Sequence, residues 1–205
     1  MMFEIFKKHF LLDSGSAPTG LVSGVSLPPG TADLLAEFGG ISFNGGLYRV
    51  VRLSDLDTWA SRIGYAFPEF KGRVTCFGYD WLGRAFAVDE KRLEGGRPGV
   101  VMFEPGTGQA LEVSANIETL HDDELVNFGE AALAVQFYQR WQKVARIKLE
   151  YNQCAGYKKL LFLGGVDDVG NLEPSDIDVY WHISAQLILK AKGLPVGTPV
   201  RTSIG

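Results

Sequence analysis

The stretch from Arg73 to Val113 constrains this chain most. Four short runs with strand character follow one another there: Arg73 to Phe77, Arg84 to Val88, Val100 to Glu104 and Ala110 to Val113. Between them stand only turns, Tyr79-Asp80-Trp81-Leu82-Gly83, Glu94-Gly95-Gly96-Arg97-Pro98 and Pro105-Gly106-Thr107-Gly108. Closely spaced strands with Gly-rich connections argue for an antiparallel meander.

Helical patterns flank this region. Residues 2–12 suggest a short amphipathic helix with Phe3, Phe6, Phe10 and Leu11 on one side, and the small, polar stretch Ser14 to Ser26 suggests a loop. Pro28-Pro29-Gly30-Thr31 opens a helix through Leu34, Leu35 and Phe38, which Gly39-Gly40 ends. Leu47 to Arg52 is a strand, and Ser54-Asp55-Leu56-Asp57 caps a further helix through Trp59 and Ile63. After Ser114 the character changes, with helices expected over Asn116 to Leu125 and Gly129 to about Leu149. No Pro- or Ser-rich linker marks the change, so residues 1–114 and 115–205 are expected to pack tightly. The fold class is therefore α+β: an antiparallel meander with flanking helices in the N-terminal part, packed against a mostly helical C-terminal part.

The other informative stretch runs from Cys154 to Leu187. Leu160-Leu161-Phe162-Leu163 is a short apolar run closed by Gly164-Gly165, and predicts a buried strand ending in a turn. Asp167-Asp168-Val169-Gly170-Asn171 is loop chemistry. Ser175 with Asp178 three residues later predicts a helix start, the hydroxyl accepting from an early N–H. Ile177, Tyr180, Trp181, Ser184, Leu187, Ile188 and Ala191 then fall on one helical face, and Gly193 followed by Pro195 stops the helix.

The Gly-Tyr-Lys entry, the Leu-Phe-Leu-Gly-Gly turn, Asn171-Leu172-Glu173 and the acidic-aromatic helix ending in Ala185-Gln186-Leu187 resemble the C-terminal domain of bacterial immunity proteins that protect against type VI secretion DNase effectors. The resemblance covers about the last quarter of the chain and implies a fold, not a reaction. The N-terminal part carries a resemblance of pattern. Leu27-Pro28-Pro29, a helix to Phe38-Gly39, Gly46-Leu47-Tyr48 and Phe77-Gly78-Tyr79-Asp80 with Gly83 look like the GAD-like and SMI1/KNR4-type groups. These resemblances imply a scaffold that binds another protein.

Composition supports a globular, binding protein. With 46% hydrophobic and 12% aromatic residues, the 205-residue chain has ample material for a core. A net charge of −4 argues against direct nucleic-acid binding, which calls for a basic patch. The N-terminus MMFEIFKKHFLLDSGS has the pattern of neither a signal peptide nor a membrane span, so a cytoplasmic location is expected. Cys76 and Cys154 are then read as a reduced, buried pair.

No complete catalytic set is visible. The histidines, His9, His121 and His182, are dispersed and lack metal-ligand spacing. There is no G-x-S-x-G elbow, and a nucleophilic Cys154 would need Lys158 or Lys159 to face it. Gly164-Gly165 and Gly170 are not followed by the Lys of a phosphate loop, and Asp167, Asp168, Asn171 and Glu173 lack the ladder of a calcium loop. Catalytic residues, metal and cofactor are all expected to be absent.

Charge patterning is the strongest physical signal. No Lys or Arg lies between Pro98 and Gln139, where Glu104, Glu112, Glu118, Asp122, Asp123, Glu124 and Glu130 occur. None lies between Gly164 and Tyr180, which holds Asp167, Asp168, Glu173, Asp176 and Asp178. Helix N-terminal acids and a solvated face account for part of this. An acidic surface for a basic partner accounts for it together with the family resemblance, because a nuclease carries Lys and Arg to meet phosphates. The expected partner-binding residues are Asp167, Asp168, Glu173 and Asp176, with the aromatic anchors Tyr79 and Trp81; Tyr180 and Trp181 are further candidates, and a place in the core is the alternative for most of these four aromatics. The expected function is an immunity protein that occludes a cognate secreted toxin, a DNase by resemblance. An enzyme acting on a small molecule between the two parts, or a regulatory protein-binding scaffold, is the alternative.

Overall fold

A computed structural model describes residues 2–14 and 26–193. The expected loop from Ser14 to Ser26 therefore lies mostly outside the described residues, as does Pro195. Helices α1 (Glu4–His9) and α2 (Thr31–Phe38) precede a sheet of β1 (Ser42–Phe43), β2 (Tyr48–Val50), β3 (Val74–Asp80), β4 (Ala85–Glu94), β5 (Arg97–Glu104) and β6 (Gln109–Asn116). Helix α3 (Leu56–Ala66) connects β2 to β3. The strands pair in sequence order, every neighbour antiparallel, so the expected meander is the organising sheet.

The sheet is followed by α4 (Ile117–Thr119), a π-helical turn (Leu120–Glu124), α5 (Leu125–Asn127), α6 (Gly129–Leu133) and α7 (Val135–Ala145). Asn116 starts this run with a capping box, accepting from Glu118 N and Thr119 N at 3.0 and 3.1 Å. The helix expected from Gly129 to Leu149 is shorter and broken. Ala134 adopts left-handed backbone at φ 51°, which separates α6 from α7, and Arg146 at φ 54° ends α7. Leu11 also departs from expectation: it lies beyond the end of α1 and is exposed, while Phe3, Phe6 and Phe10 are buried.

Strands β7 (Gln153–Tyr157) and β8 (Leu172–Asp176) form a second, two-stranded antiparallel sheet, and α8 (Ile177–Ala191) follows directly. Leu160 to Leu163 is not a strand. Residues Leu161–Leu163 form a 3₁₀ turn, closed by Gly164 at φ 82°, and Leu161 N donates to Gly106 O at 2.8 Å. The strand partner of β8 is instead Gln153–Tyr157, whose Ala155 and Gly156 carry little strand signal. A side chain at Gly156 is excluded by packing, since a Cβ there would stand 2.7 Å from Tyr180 Cδ2.

One continuous core joins the two parts, from Phe3 through the sheet to Leu187. The β3–β4 turn is where the C-terminal part docks. Trp81 Nε1 donates to Leu133 O at 2.9 Å, Ala155 N to Trp81 O at 2.7 Å, and Trp181 Nε1 to Gly83 O at 2.9 Å. Both cysteines are free and buried. Burial pushes the Cys76 thiol up to about 12 and Cys154 well above its ordinary value, the opposite of an activated thiolate. No helix among the described residues is long and apolar enough to cross a membrane.

Candidate partner-binding surface

Helix α8 divides into two faces by its own periodicity. Ile177, Tyr180, Trp181, Ser184, Ala185 and Leu187 are buried against the sheet and α3. Val179 and Ile183, one turn apart, point outward and are 54% and 52% exposed. They form a ridge between two depressions. On one side a groove of about 760 Å³ runs between α8 and α3, walled by Thr58, Ser61 and Tyr65 opposite Val179, His182 and Ile183. On the other a groove of about 350 Å³ lies between α8 and the segment Tyr157 to Leu163, with Glu173 and Ser175 at its side.

The larger groove is apolar at its centre and ionic at one end. Arg62 lies 4.5 Å above the Trp59 ring and its Nε donates to Asp178 Oδ1 at 2.9 Å; Nη2 bonds the same oxygen. Both contacts use Oδ1 of a carboxylate whose side chain is 67% exposed. Tyr65 stacks on His182 with ring centroids 6.4 Å apart. His182 also pairs with Gln186 Nε2 at 2.7 Å, which makes it part of a half-exposed surface cluster.

The acidic segment feeds directly into this face. Asp167 and Asp168 lie exposed in the connection from β7 to β8, as expected of a loop. They are not free charges, because Tyr157 OH donates to Asp167 Oδ1 at 2.6 Å and Gly170 N to Asp168 Oδ1 at 2.8 Å. Asn171 holds the loop shut, donating to Lys159 O at 2.8 Å and Val166 O at 2.9 Å. Glu173 is fully available on β8. Asp176 is the N-cap of α8, accepting from Asp178 N at 2.9 Å and Val179 N at 3.2 Å. The expected Ser175–Asp178 pair does not cap: β8 carries the chain in extended form through Asp176, one residue further than the sequence reading placed the helix start.

The aromatic anchors are a correction. Tyr79 is 1% exposed and Trp81 0%, and Tyr180 and Trp181 are buried as well. Tyr79 donates to the Tyr151 carbonyl, and Trp81 packs among Phe137, Tyr138 and Trp141. The C-terminal part covers the surface these side chains would otherwise offer. The exposed apolar residues that do adjoin the acids, Val179, Ile183 and Tyr65, were missed. Val179 and Ile183 sit four apart on the side of α8 opposite the core stripe, a signal that was present in the sequence.

Three or more His, Cys, Asp or Glu side chains do not gather in metal-holding geometry among the described residues. His121 is wholly buried, away from this surface, with Nε2 3.0 Å from Tyr48 OH.

Comparisons with known proteins agree with this architecture. The crystal structure of Atu4351 from Agrobacterium tumefaciens shares the fold, with a TM-score of 0.58 and 17% identity over 90% of this chain and 89% of that one. No curated protein sequence matches the chain. A family model described as "T6SS immunity protein Tdi1, C-terminal" matches residues 113–188, from the last strand of the large sheet through β7, β8 and most of α8. Over these residues the chain is similar to the C-terminal domain of a type VI secretion immunity protein, the family that its sequence resembles.

Proposed function

We propose that this protein binds a basic toxin, a DNase effector of the type VI system, and neutralises it by one-to-one occlusion without making or breaking a bond. The observation that carries this reading is the immunity-domain match over residues 113–188, which implies a cognate toxin as partner. The basic, nuclease character of that toxin follows from charge. Asp167, Asp168, Glu173 and Asp178 are exposed in a segment without a single Lys or Arg, and such a surface complements a cleft built to hold phosphates. The GAD-like or SMI1/KNR4-like N-terminal part, divided from the immunity domain near residue 114, acts as the scaffold that holds this surface.

Titration of the chain against the effector encoded beside it tests the stoichiometric reading. Protection of DNA, or of cells, is expected to saturate near one molecule per toxin. Protection at strongly substoichiometric amounts would mean catalytic detoxification.

Steering by the acidic segment is expected to be modest. Glu173→Lys is the cleanest probe, since Glu173 is exposed and neither caps a helix nor closes the loop. Its reversal should slow association by an amount corresponding to about 1 kcal/mol or less, and added salt should slow the wild type in the same way. Stopped-flow association rates across a salt series check this, and unchanged rates would reduce the acidic segment to a solvated turn. Asp176→Lys is unsuitable for the purpose, because removing the cap of α8 mixes folding with binding.

A further inference from the structure

We propose that the exposed end of α7 lies on an anionic lipid surface, its aliphatic side chains dipping into the headgroup boundary and its Lys and Arg meeting the lipid phosphates and carboxylates. The inference goes beyond the toxin reading and uses none of the residues assigned to the toxin above. Between Glu130 and Glu150 the sequence holds no Asp or Glu, and its charges, Arg140, Lys143, Arg146 and Lys148, are all positive in a chain of net charge −4. All of these cations are exposed. None of them forms an ion pair among the described residues. Val144 and Ile147 stand among them, 70% and 40% exposed.

The fold turns this stretch outward. Phe137, Tyr138 and Trp141 fix one side of α7 in the core, and Leu149, 2% exposed, pins the chain again just beyond the helix. Every residue between Trp141 and Leu149 is exposed or half-buried. Helix stability accounts for one cation, since Lys143 lies in the last turn at the negative end of the dipole. It does not account for Arg146, which ends the helix at φ 54°, a left-handed position where glycine carries least strain. The make-up of the patch selects the occupant. Unpaired cations call for a negative surface, which excludes a basic toxin here. A nucleic-acid strand would leave the two aliphatic side chains without a partner, and the aromatics of α7 that could stack on bases are buried. Aliphatic and cationic side chains presented together on the outer face of a docked helix suit the boundary of an anionic bilayer, where each cation contributes about fivefold to partitioning.

Co-sedimentation of the full chain with vesicles tests this. Binding is expected to phosphatidylcholine vesicles containing phosphatidylserine, to weaken with added salt, and to be absent from phosphatidylcholine alone. Arg140→Gln/Lys143→Gln/Lys148→Gln should lower partitioning about 100-fold. Val144→Ser/Ile147→Ser should lower it at least about tenfold with every cation kept, a loss that purely ionic binding would not show. Arg146→Gly should lower it about fivefold while keeping the unfolding temperature, which separates the lipid contact from the helix end. All the substituted residues are exposed, so unchanged thermal unfolding serves as the folding control. No binding to phosphatidylserine vesicles at low salt, or binding by the triple variant within about threefold of the wild type, overturns the proposal. So does preferential binding of duplex DNA, which would assign the patch to nucleic acid. Salt-sensitive self-association that the triple variant loses, with no vesicle binding, would assign it to a second copy and overturn the proposal as well.

Discussion

Replacing Asp80 by Ala should destabilise the protein by about 3–5 kcal/mol, because it leaves a buried guanidinium without its counter-ion. Asp80 is 0% exposed and organises the β3–β4 turn through both of its oxygens. Oδ1 accepts from Leu82 N at 3.0 Å and Arg84 N at 2.9 Å, and Oδ2 accepts from Arg84 Nε at 2.6 Å, with Arg84 Nη2 in ionic contact at 2.6 Å. Burial pushes the carboxyl above its ordinary value and the Arg84 guanidinium opposes it, so charge on both partners depends on the pair staying together. Arg84 Nη2 continues the network to Ala132 O at 3.0 Å, on α6. The turn is also the docking point for Trp181 and for β7, so the loss spreads to both parts of the chain. Urea unfolding of three variants separates the contributions. Asp80→Asn keeps an acceptor for the two amides and should lose less than Asp80→Ala. The double change Asp80→Ala/Arg84→Met should recover part of the loss, since removing both charges costs less than stranding one. A loss under about 1 kcal/mol for Asp80→Ala would show that water reaches Arg84 and that the pair is peripheral to stability.

A second large effect is expected from pH. His121 is 0% exposed and enclosed by Phe3, Phe6 and Phe77, with ring centroids 5.2, 5.0 and 5.6 Å away. Its Nδ1 is 2.6 Å from the Ile117 carbonyl, which can only accept, so Nδ1 carries the proton and Nε2 accepts from Tyr48 OH at 3.0 Å. A neutral ring satisfies both contacts. Burial lowers its pKa from 6.5 to about 4, partly offset by the bond to Ile117 and by Asp122. A depressed histidine contributes nothing to the pH dependence well above 6.5, where both states are neutral. As pH falls below 6.5 the unfolded chain takes up a proton that the folded chain refuses, so stability drops by about 1.4 kcal/mol per unit, about 3 kcal/mol by pH 4. Between pH 7 and 5 the expected loss is about 2 kcal/mol, a window that lies above the ordinary carboxylate range. Urea unfolding at the two pH values checks it, with His121→Phe as control. That variant is less stable at pH 7, because Tyr48 OH loses its acceptor, but its stability should be nearly flat across the window. Equal slopes in the two proteins would place the proton elsewhere.

The two effects fall on the scaffold, whereas the candidate partner-binding surface is expected to tolerate change. Its members are exposed or half-exposed, and the contacts within it, such as Arg62 with Asp178, are of the kind that stabilise little. Binding and folding are therefore separable by mutation. The exceptions are Asp176, which caps α8, and Asp167, which Tyr157 holds.

Local chemistry in the sequence determined most of the large sheet. Gly-rich turns at 79–83, 94–98 and 105–108 set the strand order, because a short connection leaves an antiparallel neighbour as the available partner, and β3 to β6 form where the runs predicted them. The ends of α2 and the core stripe of α8 were legible for the same reason, since capping and 3.6-residue periodicity act within a few residues. The sequence also carried the acidic run that borders the candidate surface. Contacts between segments distant in the chain decided the rest. Tyr79 and Trp81 have the composition of surface anchors in a turn, yet they are core because the segments after Ser114 cover them, with Tyr151 and Leu133 accepting their hydrogen bonds. Strands β7 and β8 are separated by the whole 158–171 connection, and the glycine at 156 is required by the Tyr180 ring and not by any strand preference. That pairing extends β8 to Asp176, which moves the start of α8 and makes Asp176 the cap in place of Ser175. Burial is a property of what covers a side chain, so neither the fate of the aromatics nor the groove between α3 and α8 is written in either segment alone.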